Sequence, residues 1–255
     1  MVDKGLVFDL SYNTMIQAPA DLHTHSIFSD GKATLDQIVS ISRSKGMNVG
    51  VANHCGPTTF QIGGDAGFER YFRALSAQPV YRSAELDLGR EIRVSLDNLQ
   101  RCDYLIGGVH SLGERDFFDS SLTDFDVPAL LDRMLSVIEK KARIYSFDIL
   151  AHPGLLPVNL RPRHGESFDT RWDERLIGLA LECGFALEIS SRWQLPPAST
   201  VRRARQAGVK ISFGSDAHRP EQVCRLDHCL AVARECGLRD GDLFRPARQL
   251  AEKIA

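Results

Sequence analysis

Seven short apolar runs recur along this chain, separated by stretches whose apolar residues follow helical spacing. The runs lie near 20–25, 48–52, 80–88, 103–109, 147–151, 185–190 and 209–214, each of a length that suits a strand. The third is the least regular, because Arg82 and Glu85 interrupt it. Between the runs, Thr34-Leu35-Asp36-Gln37 reads as a capping box that opens a helix, and Gly46 after Lys45 reads as its end. The clearest periodic stretch is 127–143, where Leu130, Leu131, Met134, Leu135 and Ile138 fall in steps of three and four and so paint one helix face. Further helices are predicted at 67–77, 170–183, 198–207, 220–236 and 242–254. Strands alternating with helices imply parallel pairing through crossover units. Seven such units predict an α/β fold with a closed or nearly closed (β/α) barrel; a doubly wound open sheet is the competing architecture.

The 255 residues suffice for one large domain, 1–255, with a well-buried core, and neither repeats nor low-complexity tracts divide them. Two loop-rich stretches, 55–66 and 153–169, each follow a histidine and are expected to wall an active site. A formal charge of -2 gives no electrostatic reason to expect nucleic acid, although a local basic groove can hide in a neutral total. No stretch approaches the ~20 apolar residues of a membrane span. The six cysteines form no C-x-x-C pair and suggest reduced thiols in a cytoplasmic protein. Cys55, directly after His54, is within sequence reach of a metal.

Chemistry enters with the histidines. Of eight, six sit at or beside the apolar runs: His23 and His25 in Asp21-Leu22-His23-Thr24-His25, then His54, His110, His152 and His218. A His-x-His pair on a strand points both rings to one face. Alone it is a weak signal, equally a polar pair on a half-exposed strand. Ser29-Asp30-Gly31 adds a carboxylate in the following turn, and Asp216 precedes His218 by two. Glu85 lies within a mostly apolar strand, where burial is costly without a metal or a partner such as Arg82 or Arg93. Six strand ends carrying histidine or carboxylate match the place where barrel enzymes keep their chemistry.

The order of these motifs resembles the polymerase and histidinol phosphatase (PHP) family of metal-dependent phosphoesterases. The resemblance rests on Asp21-Leu22-His23-Thr24-His25-Ser26, Ser29-Asp30-Gly31, Asn53-His54, Glu85, Gly108-Val109-His110-Ser111, Ala151-His152-Pro153-Gly154 and Gly214-Ser215-Asp216-Ala217-His218, spanning 21–218. It implies a distorted (β/α)7 TIM-like barrel and two or three divalent ions, zinc, manganese or iron. By position, His23, His25, Glu85 and Asp216 would surround one ion. Glu85, bridging, would join His110 and His152 on a second, and Asp30, His54 and His218 would hold a third. Asn53 stands where the family often has an acidic residue, and is expected to orient His54 by a hydrogen bond. Position 30 is an aspartate where some relatives carry a histidine nearby, which leaves manganese or iron as suitable as zinc.

Such a centre carries net positive charge and suits a phosphate monoester dianion and a hydroxide. The expected reaction is in-line attack by a metal-bridging hydroxide, with Glu85, Asp216 and His218 as the catalytic residues and no covalent nucleophile. Arg192 after the sixth strand, Arg115 after His110, and Arg161 or Arg163 after His152 are candidates to bind phosphate, each weighed against an ordinary solvated arginine. His164 and His228 are read as structural or exposed. The expected partner is a small phosphorylated metabolite. A phosphodiesterase or 3′–5′ exonuclease is the alternative, followed by an amidohydrolase, which commonly needs a bridging lysine that no strand end here supplies. A non-catalytic metal module is disfavoured, because structural sites usually close around four ligands rather than nine.

Overall fold

The computed structural model describes residues 16–121, 126–161, 170–248 and 250. Its seven long-range strands are β1 (Ala20–Asp21), β2 (Asn48–Cys55), β3 (Tyr81–Asp87), β4 (Ile106–Gly108), β7 (Ile149–Leu150), β8 (Ala186–Ser190) and β9 (Ile211–Gly214). They pair in that order, all parallel. The open-sheet alternative fails at one place. The first and last strands meet, through Leu22 N–H to Phe213 O at 2.9 Å, Asp216 N–H to His23 O at 2.9 Å and His25 N–H to Ala217 O at 2.9 Å. The result is a nearly closed, distorted (β/α)7 barrel, as the alternation and the resemblance implied.

Helices α1 (Leu35–Ser44), α2 (Asp65–Ser76), α3 (Leu96–Leu99), α4 (Val127–Tyr145), α5 (Thr170–Cys183), α6 (Ala198–Ala207) and α7 (Asp227–Cys236) lie in the crossovers and after β9. The capping box at Thr34 forms as expected, with Gln37 N–H donating to its hydroxyl and the Gln37 side chain accepting from Thr34 N–H. On α4 the predicted face of Leu130, Leu131, Met134, Leu135 and Ile138 is buried. Asp126 caps that helix by accepting from Ala129 N–H at 3.1 Å.

Strand alternation sorts two cores. Outward residues such as Val49, Val51, Leu86, Leu187, Ile189 and Phe213 join the large apolar layer beneath the helices. Inward residues of the lower barrel, including Leu22, Ala52, Tyr104, Ile106, Ile149 and Ala186, form a second cluster, with Phe244 and Leu250 against it. Tyr104 fills this interior and donates its hydroxyl to Leu22 O at 2.5 Å. A side chain at Gly50 would collide with that hydroxyl. Higher up the same inward rows turn polar: Ser83, Glu85 and Asp87 on β3, and Glu188 and Ser190 on β8, all buried. The barrel is thus plugged with hydrocarbon below and lined with charge above.

Several boundaries differ from the sequence reading. The regular part of β1 is two residues; beyond Asp21 the chain continues along the seam, bonded through Leu22, His23 and His25 to 213–217, with Thr24 bridging Ala217. β2 runs on to Cys55, so His54 lies within the strand. The helix expected at 220–236 is broken: a short turn at Pro220–Gln222 precedes α7, with Cys224 at φ 55° between them. After a short 3-10 turn at Asp240–Asp242 the chain leaves helix, and the described residues from Leu243 to Leu250 are not helical, since Leu243 bridges Ile211 and Phe244 N–H bonds Ile211 O; the rest of the predicted 242–254 helix lies outside them. The later part of the second loop-rich stretch, 162–169, also lies outside them, with Arg163 and His164. A hairpin of β5 (Ser111–Leu112) and β6 (Arg115–Asp116) follows His110 where only loop was expected.

Candidate metal centre

Glu85 sits at the centre of the upper barrel, fully buried on β3. Its Oε2 lies 2.9 Å from His54 Nδ1, 3.2 Å from His23 Nε2 and 3.5 Å from His25 Nε2. Its Oε1 lies 3.2 Å from His110 Nε2 and 3.3 Å from His152 Nε2. Five imidazoles therefore converge on one carboxylate. Neither of its oxygens makes a hydrogen bond of good geometry, and neither do Nδ1 of His25, His54, His110 or His152. Ring nitrogens also face one another directly: His23 and His25 Nε2 are 3.1 Å apart, and His110 and His152 Nε2 are 3.2 Å apart. One proton at most fits between each such pair, so hydrogen bonding cannot satisfy the cluster. Lone pairs aimed at shared space are what divalent ions require.

A second group adjoins the first. His218 Nε2 is 3.1 Å and His54 Nε2 3.7 Å from the Asp30 carboxylate, with the His25 ring stacked against that of His54, centroids 4.3 Å apart. Asp216 joins both groups, its Oδ1 3.1 Å from His25 Nε2 and 3.4 Å from His218 Nδ1. Three sets of donor atoms are each compact enough to hold an ion: His23, His25 and Glu85; His54, Glu85 and His110; and His25, Asp30, His54 and His218. All nine predicted ligands are thus brought together. The grouping is more interleaved than the sequence partition, because His54 and His25 each face two sets.

The backbone is shaped for this convergence. His152 and Asp216 adopt left-handed conformations, φ 32° and 49°, which cost about 1–3 kcal/mol each for residues with a Cβ. Gly108 packs against Glu85 Oε1 and the His110 ring so closely that any Cβ there would displace them. The charges are strongly coupled. Burial opposes protonation of His110, but the Glu85 carboxylate outweighs it and pushes the imidazole up to about 9. Burial works against the charge of Glu85 too, yet His54, His23 and His110 hold its carboxyl well below the usual range. His25 goes the other way: buried, and with His218 and His54 beside it, it is driven well below the ordinary imidazole value. These are protons that ions would replace.

Two residues to which the sequence reading gave no role hold the candidate ligands in place. Glu188, buried on β8, accepts from His23 Nδ1 at 2.7 Å through Oε1 and from the His152 backbone N–H at 2.8 Å through Oε2. Asp21 anchors the seam, accepting from Ser215 N–H at 2.9 Å, Ser215 Oγ at 2.6 Å and Cys224 N–H at 2.8 Å. Asn53 does not orient His54 as expected. Neighbours on a strand face opposite ways, and its amide oxygen instead accepts from Ser26 N–H and Ser29 Oγ, at 2.8 and 2.7 Å, tying down the loop that carries Asp30. Cys55 likewise points away from His54 into the apolar core, where burial pushes its thiol well up. All six cysteines are free thiols.

Above the cluster opens a cleft of about 280 Å³, lined among others by Phe60, Asp87, Arg90, Phe118, Arg192 and Trp193. Arg192 lies in close contact with His218 Nδ1 and 3.3 Å from Asp216 O. Its guanidinium carbon is 4.9 Å from the Trp193 ring, and that of Arg161 is 4.6 Å from the same ring and 5.0 Å from Phe118. Trp193 in turn donates its indole N–H to Asp216 Oδ2 at 2.5 Å. Two of the candidate arginines, Arg192 and Arg161, therefore gather at one tryptophan. Arg115 does not: it borders a separate depression with Leu112, Asp126 and Arg133, because the hairpin carries it away. Arg90, not anticipated, takes the cleft wall on that side, bonded to Ser111 Oγ and Asp116 at 3.1 Å each. His228 lies on α7 beside another cavity.

A barrel whose strand ends present a buried histidine–carboxylate cluster under an arginine-flanked cleft has the build of a metal-dependent hydrolase. No family model matches the chain. It is similar to two proteins named probable histidinol-phosphatase. That of Clostridium acetobutylicum is 19% identical over 242 residues, covering 86% of this chain and 94% of that protein. That of Deinococcus radiodurans is 29% identical over 133 residues, 48% of this chain and 49% of that protein. Among solved structures, a Listeria monocytogenes protein assigned as the histidinol phosphatase hisK superposes with a TM-score of 0.64 at 15% identity, covering 81% of this chain and 97% of that one. The chain is thus histidinol-phosphatase-like, in keeping with the PHP resemblance of its motifs.

Proposed function

We propose that this protein is a metal-dependent phosphatase that hydrolyses a small phosphomonoester of the histidinol phosphate kind. The observation that carries the reading is the Glu85 carboxylate, buried without a good hydrogen bond and faced by five imidazoles. Two or three divalent ions, zinc, manganese or iron, fit these donors and, when bound, would activate water and neutralise phosphoryl charge. Glu85 would be common to two of the ligand groups. His23, His25 and Asp216 would lie on one side, His110 and His152 on the other, with Asp30, His54 and His218 completing the outer set.

The chain's own groups supply the rest. Arg192 stands where a guanidinium can pair two phosphate oxygens, and Arg161 adds a second cation across Trp193. Two arginines beside a metal cluster favour a terminal, dianionic phosphate over a singly charged diester. Phe60 and Phe118, each about half exposed on the rim, offer apolar surface for the alcohol portion. His218 meets Asp30 through Nε2 and Arg192 through Nδ1, and so ties the outer ligand set to the arginine that would bind phosphate. The cleft volume suits a metabolite. Free thiols fit a cytoplasmic setting. No helix of the described residues is long and apolar enough to cross a membrane.

The test is elemental analysis of the purified protein beside a hydrolysis screen of phosphomonoesters, histidinol phosphate included, and phosphodiesters with manganese or zinc added. Bound ions with monoester turnover support the reading. Diester cleavage alone would replace it with a nuclease-type activity, and a protein that takes up no ion and turns over nothing would remove it.

A further inference from the structure

We infer that Glu188 is a positioning residue that binds the two halves of the metal centre into one unit, so that neither half takes up its ion at full affinity without it. The inference rests on the proposed metal centre and concerns how this chain builds it. Glu188 belongs to none of the ligand sets, and its side chain is 1% exposed. Its two oxygens reach two different places. Oε1 accepts from Nδ1 of His23, whose Nε2 faces the Oε2 side of Glu85. Oε2 accepts from the backbone N–H of His152, whose ring faces the Oε1 side of Glu85.

Each contact has a defined consequence. With its proton held on Nδ1, His23 presents a bare Nε2 towards His25 and Glu85, which is the tautomer a ligand needs. The bond to His152 N–H holds a residue that sits at φ 32°, a conformation uncommon for any residue with a Cβ. Glu188 is packed closely by its neighbours. A Cβ on Gly214 would overlap its Oε1 and come within 2.7 Å of His23 Cβ, so the adjacent strand leaves room only for hydrogen there. A closely packed carboxylate thus sets the ring orientation of a ligand on one side and the backbone of a ligand on the other.

Glutamine separates this role from simple packing. It matches glutamate in shape but carries one acceptor and one donor group. If its oxygen serves His152 N–H, its NH2 faces His23 Nδ1 and moves the proton to Nε2, where it blocks the ligand. If the amide is turned over, the NH2 opposes the His152 N–H. Either way one half of the centre loses its contact directly, and because both halves share the Glu85 carboxylate, the ligand displaced on one side weakens the other as well.

The experiment is competition of the full-length Glu188→Gln protein and wild type against a chromophoric chelator for zinc, with stoichiometry read by elemental analysis. A loss of about 10–100-fold in affinity at two positions together is expected, while circular dichroism and the melting temperature in excess chelator stay close to wild type. In the zinc-loaded wild type, ¹⁵N NMR should find the His23 proton on Nδ1, a readout that needs no variant. Unchanged affinity and stoichiometry in Glu188→Gln, loss at one position alone, or an Nε2-protonated His23 would each overturn the role of Glu188 and leave the metal reading standing. A wild type that binds no zinc and no manganese would sink both.

Discussion

Replacing Glu85 by glutamine is the most direct test of the centre, because shape is kept and one charge is removed. At the observed 3.2 Å, a carboxylate and an imidazolium attract by about 5 kcal/mol at an effective dielectric of ~20. Without it His110, now at about 9, should titrate at or below the ordinary imidazole value of 6.5, a change of about 3 kcal/mol. Ions lose more, since each side of the cluster loses an anionic oxygen. If the shared carboxylate supplies about 4 kcal/mol of the transition-state charge stabilisation, turnover should fall about 10³-fold. The fold should survive, because the lower barrel and the helix layer do not involve this side chain. Three measurements check the chain of reasoning: His110 titration by NMR in metal-free protein, ion stoichiometry after desalting, and hydrolysis of p-nitrophenyl phosphate. A Glu85→Gln protein that keeps its ions and wild-type turnover would refute it, as would an unmoved His110.

Arg192→Ala should raise KM about 10–100-fold for a phosphomonoester, as expected for loss of charge-assisted hydrogen bonds, whereas Arg115→Ala should leave steady-state kinetics unchanged; equal effects would contradict the placement of Arg115 away from the cleft. Chelation should lower the melting temperature, since ions at about 1,000 times their Kd contribute about 4 kcal/mol, and a melting temperature indifferent to chelator would argue against bound metal. Asp21 gives a pH signature. Burial raises its carboxyl from 3.8 to about 6 despite four hydrogen bonds, so the folded state binds the proton more tightly than the unfolded chain. That contribution to stability is full below pH 3.8 and is lost as pH rises to about 6, about 3 kcal/mol in all. Denaturant titrations of wild type and Asp21→Asn across pH 3.5–7 should differ in slope in that window; parallel curves would show that Asp21 does not titrate there.

The barrel was legible because its strands are buried on both faces and its helices carry one apolar stripe, two periods that leave different marks. The clustering of the candidate ligands was legible because a barrel puts chemistry at strand ends, where His110, His152 and Asp216 interrupt apolar text. Glu188 was missed although it bears the same mark as Glu85, a carboxylate between apolar neighbours inside a strand, Leu187 and Ile189 in its case. Reading the inward row Ala186, Glu188 and Ser190 at period two would have found it. Asn53 was misread by adjacency, since the residue beside a ligand on a strand faces away from it. Arg115 and Arg90 could not be ranked from sequence, because a two-strand hairpin decides which of them faces the cleft. Trp193 carries no local signal at all; its role exists only once the loop after β8 lies over Asp216.

The barrel seam has a consequence for how the protein is made. His23 and His25 meet Asp216 and His218 across the junction of the first and last strands. A nascent chain emerging from the ribosome carries its first two histidines early, but the partners that complete their pockets are translated near the end. In the proposed centre, stable metal loading would therefore wait for the last barrel strand. Chains truncated before this strand would lack Asp216 and His218 and with them the complete donor set.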